Sequence, residues 1–224
     1  AGKPKGPDVS SLTDAARGRT LMVRGSAEPH RIIYGQCMVS GPLLFIASSG
    51  ASNEYLHMII ALAGHEVEEI GDVYLDDTLS TDARFAGLVT IAKHLGASDQ
   101  TYDTTLAAAV PEWTSAHRLR GIAYLYVRLT WDPDVWLNGV PNVKALVKGR
   151  KVYDPRTGTT AWSQNAALCQ RDYLRASWGI GATAAEVDDP LAAAAANICD
   201  EDVPLDAGGT QKRYTCDGAF DLSQ

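Results

Sequence analysis

Short apolar runs separated by turn residues dominate the first 150 positions of the chain. The runs are rich in β-branched and aromatic residues, and the connectors contain glycine, proline, serine and asparagine, a pattern typical of antiparallel strands. The runs at 43–46 and 55–63 predict a hairpin closed by the polar loop 48–53. A turn at 64–66 then leads to a return strand at 73–75. The predicted strands are 32–34, 37–39, 43–46, 55–63, 73–75, 87–92, 121–131 and 143–149.

Helical patterns belong mainly to the last third of the chain. Ser163 is a suitable N-cap for a helix that runs to Ala176 and is terminated by Gly179. A second helix starts at the Asp-Pro pair 189–190 and carries one narrow apolar stripe. A short alanine-rich stretch at 103–110 is compatible with helix, and 212–220 predicts a strand. The fold class predicted is α+β: β-rich, antiparallel, with a few short helices in the C-terminal third.

Length and composition limit the domain organisation. A chain of 224 residues with 46% hydrophobic residues can bury a core in one large or two small domains. We divide it into a flexible N-terminal arm at 1–20, a β-rich domain at 21–135 and an α+β domain at 136–224, with the seam near 131–141. One unit without that seam stays open. The arm is basic but lacks the apolar segment of a secretory signal.

The charge balance bears on the partners of the chain. Twenty Lys and Arg residues against 27 Asp and Glu residues give a formal net charge of −7. An acidic surface is repelled by phosphates and by anionic headgroups, so specific nucleic-acid binding and membrane attachment are disfavoured. No apolar run reaches the roughly 18–20 residues that a membrane-spanning helix requires.

No short motif completes a catalytic, cofactor-binding or metal-binding site. His65 and Glu66 begin a zinc-protease pattern, but Glu69 stands where the second histidine is required. His57 lies in an apolar run and is interpreted as a partly buried, hydrogen-bonded histidine rather than a metal ligand. The Gly-Ile-Gly run at 179–181 follows a helix rather than a strand, so it indicates a helix stop and not a dinucleotide site. The sequence therefore predicts no catalytic residues, no metal ligands and no cofactors.

Acidic pairs and cysteines also fit structural roles. Adjacent carboxylates are interpreted as solvated acids, because the ligand spacing of a calcium loop is absent. The four cysteines are scattered and are interpreted as buried thiols, although a disulfide between Cys199 and Cys216 stays open because such a loop is easily closed. The acidic groups are Asp76–Asp77, Asp188–Asp189 and Asp200-Glu201-Asp202, and the remaining cysteines are Cys37 and Cys169.

Several separated motifs carry a family resemblance. Arg-Ile-Ile-Tyr-Gly at 31–35 opens a first block, and Gly-Arg-Lys-Val-Tyr-Asp-Pro-Arg at 149–156 lies in a second. The Asn-Pro-Ala of the family's helix start is Asn-Ala-Ala at 165–167 here. Further matching segments lie at 39–43, 55–67, 70–74, 139–141, 162–169, 172–174, 179–181, 197–201 and 213–218. Over roughly 17–221, the chain resembles the N-terminal hub portion of the lambda-type tail tip, or host-specificity, proteins of long-tailed bacteriophages.

The resemblance implies a structural function. Such a protein has tail-hub-like β-rich domains and forms part of the tail tip, or baseplate hub, which joins the distal tail tube to the host-recognition apparatus. The implied partners are other copies of the chain, as a trimer, and the distal tail, tape measure and tip proteins. The implied location is the virion tail, assembled in the bacterial cytoplasm. Acidic channel walls would let DNA pass without sticking, which suits the net charge of −7. Family members are usually longer, so we expect a segment or a shortened relative.

Two other functions are weighed against assembly. A receptor-binding domain could present indole faces to sugar rings, and the candidates are Trp113, Trp131 and Trp136, although core or interface positions explain them more simply. A tail-associated cell-wall hydrolase would need a nucleophile and a base. Its conceivable pairs combine Cys169 or Cys199 with His65 or His117.

Overall fold

A computed structural model describes residues 30–222. The arm predicted at 1–20 lies outside the described residues. The helices are α1 (Thr104–Ala109), α2 (Ala166–Arg175) and α3 (Asp189–Cys199), and Ala83–Phe85 forms a 3-10 turn. The strands are β1 (His30–Tyr34), β2 (Gln36–Val39), β3 (Leu43–Ser49), β4 (Tyr55–Ala63), β5 (Glu69–Leu75), β6 (Thr78–Leu79), β7 (Val89–His94), β8 (Ala123–Thr130), β9 (Val143–Lys148), β10 (Lys151–Asp154), β11 (Thr159–Trp162), β12 (Asp202–Pro204), β13 (Thr210–Lys212) and β14 (Gly218–Leu222).

Two four-stranded antiparallel sheets enclose the largest core. One sheet has the strand order β3-β4-β8-β7 and the other has β2-β9-β5-β6. Their facing side chains, among them Leu125 and Val127 of β8 and Val73 of β5, are fully or almost fully buried. Because successive side chains of a strand alternate between faces, Tyr124 and Tyr126 of β8 point the other way, into a smaller core covered by α1. The first sheet is thus buried on both faces.

The last third of the chain packs around strand β1. Three two-stranded antiparallel sheets form here, pairing β1 with β14, β10 with β11 and β12 with β13. Ile32 and Tyr34 of β1 enter a core with Val152 and Leu168, whereas Ile33 faces the core between the four-stranded sheets. Alternate side chains of β1 therefore pack in two different cores, so this strand connects the four-stranded sheets to the last third of the chain.

The predicted fold class is confirmed, since the described residues form a β-rich α+β fold with antiparallel sheets and short helices. The hairpin of β3 and β4 is confirmed, with Ser49 opposite Tyr55. The return strand was wrongly paired: β5 lies between β9 and β6, because both sides of β4 are already taken by β3 and β8. The strand expected at 212–220 is divided between β13 and β14.

The start of α2 also differs from the prediction. Asn165 is the N-cap, and its side chain accepts hydrogen bonds from the backbone N–H groups of Ala167 and Leu168. The Ser163 hydroxyl instead accepts from the N–H of Asn165 at 3.0 Å. Ser163 and Asn165 are both of N-cap type and lie two positions apart. The sequence does not rank them, because the N-cap is whichever of the two directly precedes the first helical residue.

None of the described helices is long and apolar enough to cross a membrane.

Strand pairing crosses the predicted seam. Strand β9 belongs to the sequence segment after residue 136, yet it lies between β2 and β5 and pairs with both. Val143, Ala145 and Val147 of β9 are buried in the core between the two four-stranded sheets. The division into 21–135 and 136–224 stays a prediction, and this pairing identifies the strand on which a test of it depends.

Candidate functional site

Five residues from segments that carry the family resemblance lie around strand β1, and we call this cluster the junction: Tyr34, His65, Arg150, Trp162 and Asp172. Tyr34 lies on β1, and its hydroxyl donates to an Asp172 carboxylate oxygen at 2.6 Å. The Arg150 Nε donates to the same oxygen at 2.8 Å. The junction therefore ties β1 and the residue before β10 to the middle of α2.

Electrostatics at the junction favour a fixed arrangement over a reactive one. Burial raises the pKa of Tyr34, and the hydrogen bond to Asp172 raises it further. The tyrosine thus stays protonated and keeps donating. The Arg150–Asp172 ion pair is half-buried, with 30% and 17% of the side chains exposed. The Asp172 carboxylate accepts from both the Arg150 guanidinium and the Tyr34 hydroxyl. Because this pair is partly removed from water, it holds β1 and α2 together more strongly than an exposed ion pair would.

His65 fills the junction from the turn after β4. Its Nε2 accepts from the backbone N–H of Ile33 at 2.9 Å, so its Nδ1 carries the proton and donates to the Glu66 carbonyl oxygen at 2.7 Å. Burial lowers the pKa of His65 to about 4, and the hydrogen bond to Glu66 opposes that shift. Glu69 lies elsewhere, on β5, in an ion pair with Lys148. The residues that begin the zinc-protease pattern are thus separated into structural roles.

Close backbone contacts complete the junction. The Trp162 indole donates to the Gly35 carbonyl oxygen at 3.0 Å, and the ammonium of Lys148 lies 5.5 Å from its ring centroid. Gly149 packs so tightly on the Ile33 carbonyl that a Cβ atom at residue 149 would overlap it. Only glycine lets the two backbones approach this closely.

The acidic groups form ion pairs at the surface, where their carboxylates stay exposed to water, up to 96% for Asp77. Arg156 joins the turn between β10 and β11 to the end of α3, since it binds Asp154 and also Asp200 at 2.8 Å. Sequence reasoning missed these pairs, because the cations come from distant segments. The other ion pairs are Asp77–Lys144, Asp189–Arg171, Asp202–Lys212 and Glu201–Arg213. Asp76 accepts from the N–H of Asn142, and Asp188 is the N-cap of α3.

His57 is hydrogen-bonded as predicted, but it is fully rather than partly buried. It is fully buried, and its ring nitrogens lie 2.8 Å from the Ser49 hydroxyl and 2.9 Å from the Tyr126 hydroxyl. Burial lowers its pKa to about 4, with a further contribution from the Arg128 charge. Sequence reasoning missed this serine–histidine contact, which cross-strand pairing creates. A histidine with so low a pKa is a weak general base near neutral pH, so the contact serves to satisfy buried polar groups.

The tryptophans expected as sugar-stacking candidates are packed inward. Trp113 is 4% exposed and lies against Phe45, and Trp136 is 7% exposed and stacks on Phe85. Trp131 packs against the core between the two sheets. The simpler interpretation of these residues as core anchors is correct for Trp113 and Trp136.

The structure also locates the cysteine–histidine pairs. His117 lies on the surface and stacks on Trp113, whereas His65 belongs to the junction. Within residues 30–222, neither Cys169 nor Cys199 forms a hydrogen bond with a histidine, and no three metal-binding side chains cluster. All four cysteines are free thiols, so the pairing of Cys199 with Cys216 is not formed.

Exposed apolar side chains are concentrated in the C-terminal part. Among the described residues, thirteen large hydrophobic side chains are exposed, and eight of them follow residue 150. Leu191 and Ile198, seven positions apart on α3, are 68% and 49% exposed. Exposed apolar side chains that lie together mark contact surfaces, so this segment supplies the candidates for a contact with another protein. The eight are Tyr153, Tyr173, Ile180, Leu191, Ile198, Leu205, Tyr214 and Phe220.

Comparisons with known proteins give a distant result. No family model matches the chain, and no curated protein matches it. Among solved structures, it is similar to a chain of one described as "Virion of native gene transfer agent (GTA) particle", with a TM-score of 0.47 and 23% sequence identity. The match covers 68% of this chain and 36% of that chain. This chain therefore spans well under two thirds of the length of the protein it matches.

Proposed function

We propose that the chain is a structural component of a phage-type virion, and specifically of the tail tip, where it forms part of the baseplate hub between the distal tail tube and the host-recognition apparatus. The observation that carries this proposal is the concentration of exposed apolar side chains after residue 150. A protein that works by fitting against other subunits requires such a surface, and it requires no cleft in which reactive groups converge.

Open strand edges support the same function. The two-stranded sheets β10–β11 and β12–β13 have no further strand beside them within the described residues. Unpaired edges present backbone N–H and C=O groups that can pair with a strand of another subunit. Strand edges and apolar side chains therefore occur in the same part of the chain, where both can contribute to one contact with a neighbour.

The junction supports the proposal from the sequence side. Segments that resemble the phage tail tip family, at 31–35, 149–156 and 172–174, supply Tyr34, Arg150 and Asp172 to one cluster. In this proposal the junction holds the C-terminal part rigidly on the sheets, and the exposed side chains of that part contact the partners. Those partners are further copies of the chain, as a trimer, and adjoining tail proteins, while receptor contact belongs to other regions.

Incorporation into particles tests the proposal. Cells that produce the particles are supplied with a tagged copy of the chain, and purified particles are examined by quantitative mass spectrometry and by immunogold electron microscopy. We expect the tag in particles, with gold at the tail end. Replacing both Leu191 and Ile198 with serine should lower incorporation by about tenfold. Burying two apolar side chains contributes about 1.4 kcal/mol or more to association, and 1.4 kcal/mol corresponds to a tenfold change in affinity.

The matched control is Leu137→Ser. Leu137 is 79% exposed but precedes the segment after residue 150 that carries the proposed contact, so this variant should be incorporated like the unmodified chain. Absence of the tag from particles would contradict a virion component, and gold on the head would contradict the tail tip. Equal incorporation of the double variant and the control would show that the α3 surface is not the contact.

A further inference from the structure

Cys169 and Cys216 form a thiol pair that no sequence spacing suggests. Cys169 lies in the first turn of α2 and is 2% exposed, whereas Cys216 lies in the segment before β14 and is half-buried. Both thiols belong to the same small core, and each shifts the pKa of the other. Neither is bonded covalently in the structure.

The surrounding backbone holds the pair together. Asn165 and Thr215 form an isolated antiparallel bridge, and the N–H of Cys216 donates to the Gln164 carbonyl oxygen at 2.7 Å. On the other side, the Cys169 thiol lies 3.7 Å from the Ser163 carbonyl oxygen. Both cysteines also pack in the core that contains Ile32, Tyr34, Val152 and Leu168. The pair is therefore fixed by the fold and is not a chance contact of two mobile side chains.

We infer that Cys169 and Cys216 are a disulfide-forming site, which stays reduced in a cytosol and is oxidised by a small-molecule disulfide outside it. The Cys216 thiolate attacks one sulfur of the small disulfide, forms a mixed disulfide and releases one small thiolate. The Cys169 thiolate then attacks the Cys216 sulfur and releases the second. Two electrons pass from the protein sulfurs to the small disulfide, and the two thiol protons end on the two small thiols released.

The order of attack follows from the environment of each thiol. The neighbouring Cys169 thiol lowers the pKa of Cys216, and Cys216 is also the more exposed of the two. The same contact raises the pKa of Cys169, which burial also raises. The thiolate is the nucleophile in thiol–disulfide exchange, so Cys216 reacts first and Cys169 completes the bond.

The disulfide would link α2 to the segment that leads into β14. Strand β14 follows Cys216 directly, and it holds β1 in place by pairing with residues 30–34. Joining residues 169 and 216 removes freedom from the unfolded chain, and for a loop of this size the expected rise in Tm is about 5–10 °C. This cross-link is independent of the function proposed above.

Peptide mapping tests the inference. The folded chain is incubated with oxidised glutathione, alkylated under denaturing conditions and mapped by mass spectrometry. We expect loss of about 2 Da, a linked peptide pair containing Cys169 and Cys216, and a higher Tm that dithiothreitol reverses. A variant with Cys37→Ser and Cys199→Ser should behave in the same way.

Cys169→Ser provides the control for ring closure. Its Cys216 should stop at the mixed disulfide with glutathione, and its Tm should not respond to oxidation. Circular dichroism of the reduced variants establishes that they are folded. A link from Cys216 to Cys199 or Cys37, or a mixed disulfide that persists in the unmodified chain, would overturn the inference.

Discussion

His57 and His65 are enclosed in the protein and held neutral. Each ring has a hydrogen-bond partner at both nitrogens, and burial lowers the pKa of each to about 4. The ordinary pKa of histidine is about 6.5, so the unfolded chain binds protons that the folded chain does not bind between pH 4 and 6.5. The stability contributed by the neutral rings is therefore fully present above pH 6.5 and is lost as the pH falls towards 4.

Acid should weaken the fold through these two residues. We expect the free energy of unfolding to drop by roughly 3 kcal/mol for each histidine between pH 7 and pH 4, as follows from a lowered pKa. Urea unfolding at a series of pH values measures it. His57→Gln and His65→Gln keep a polar group at each site but remove the titrating ring. Each variant should therefore take up about one proton fewer on unfolding between pH 4 and 6.5, which lowers the slope of the unfolding free energy against pH.

If both core variants retained the full slope in this window, carboxylates alone would account for the acid sensitivity, and the neutral histidines would contribute nothing to it.

At the level of elements, α2 depends on its N-cap more than an ordinary helix does. Asn165 is 4% exposed; its side-chain oxygen caps α2, while its Nδ2 donates to the Ala196 carbonyl oxygen of α3 at 2.9 Å. One residue therefore begins one helix and attaches another. Asp188 caps α3 in the same manner through its side chain, but it lies at the surface and makes no second contact of this kind.

Asn165→Ala should destabilise the protein more than Asp188→Ala. Loss of an exposed cap costs about 1 kcal/mol, and loss of the buried Asn165 also leaves the Ala196 carbonyl without its donor, for a total of about 2–3 kcal/mol. Chemical denaturation of the two variants gives the comparison. Asn165→Asp separates the two contributions, because it keeps the cap and loses the donor. Equal effects of Asn165→Ala and Asp188→Ala would contradict a role of Asn165 in holding α3.

For the molecule as a whole, the position of β9 decides how the chain can be divided. This strand is supplied from beyond residue 136, but it fills the middle of the β2-β9-β5-β6 sheet. Without it β2 has no partner in that sheet, and the core between the sheets loses Val143, Ala145 and Val147. The N-terminal part therefore requires a segment that the sequence assigned to the other domain.

Two fragments that differ by residues 136–149, which contain β9 and the buried Trp136, test the predicted domain division. Residues 21–149 should unfold in one cooperative transition, whereas residues 21–135 should show none, because the loss of a central strand exposes the core. Thermal unfolding followed by circular dichroism distinguishes them. Cooperative unfolding of 21–135 alone would support the division at residue 135 and contradict our expectation.

Local patterns predicted the longer elements but not the short strands β6, β10, β11 and β12. The hairpin of β3 and β4, the strand β8 and the helices α2 and α3 follow from apolar periodicity and turn residues, which act over a few neighbouring positions. The same local chemistry indicated that His57 is hydrogen-bonded and partly buried, whereas its complete burial depends on the packing of α1 on the sheet.

The sequence by itself determined the fold class, the positions of the main strands and helices and the acidic charge of the chain. Only the tertiary structure decided that β9 completes a sheet with β2 and β5, that Asp172 binds Tyr34 and Arg150, and that Cys216 packs in one core with Cys169 rather than with Cys199. The physical reason is distance along the chain. Each of these contacts joins segments with no local interaction, and closing such loops is favourable only when the whole core forms at once.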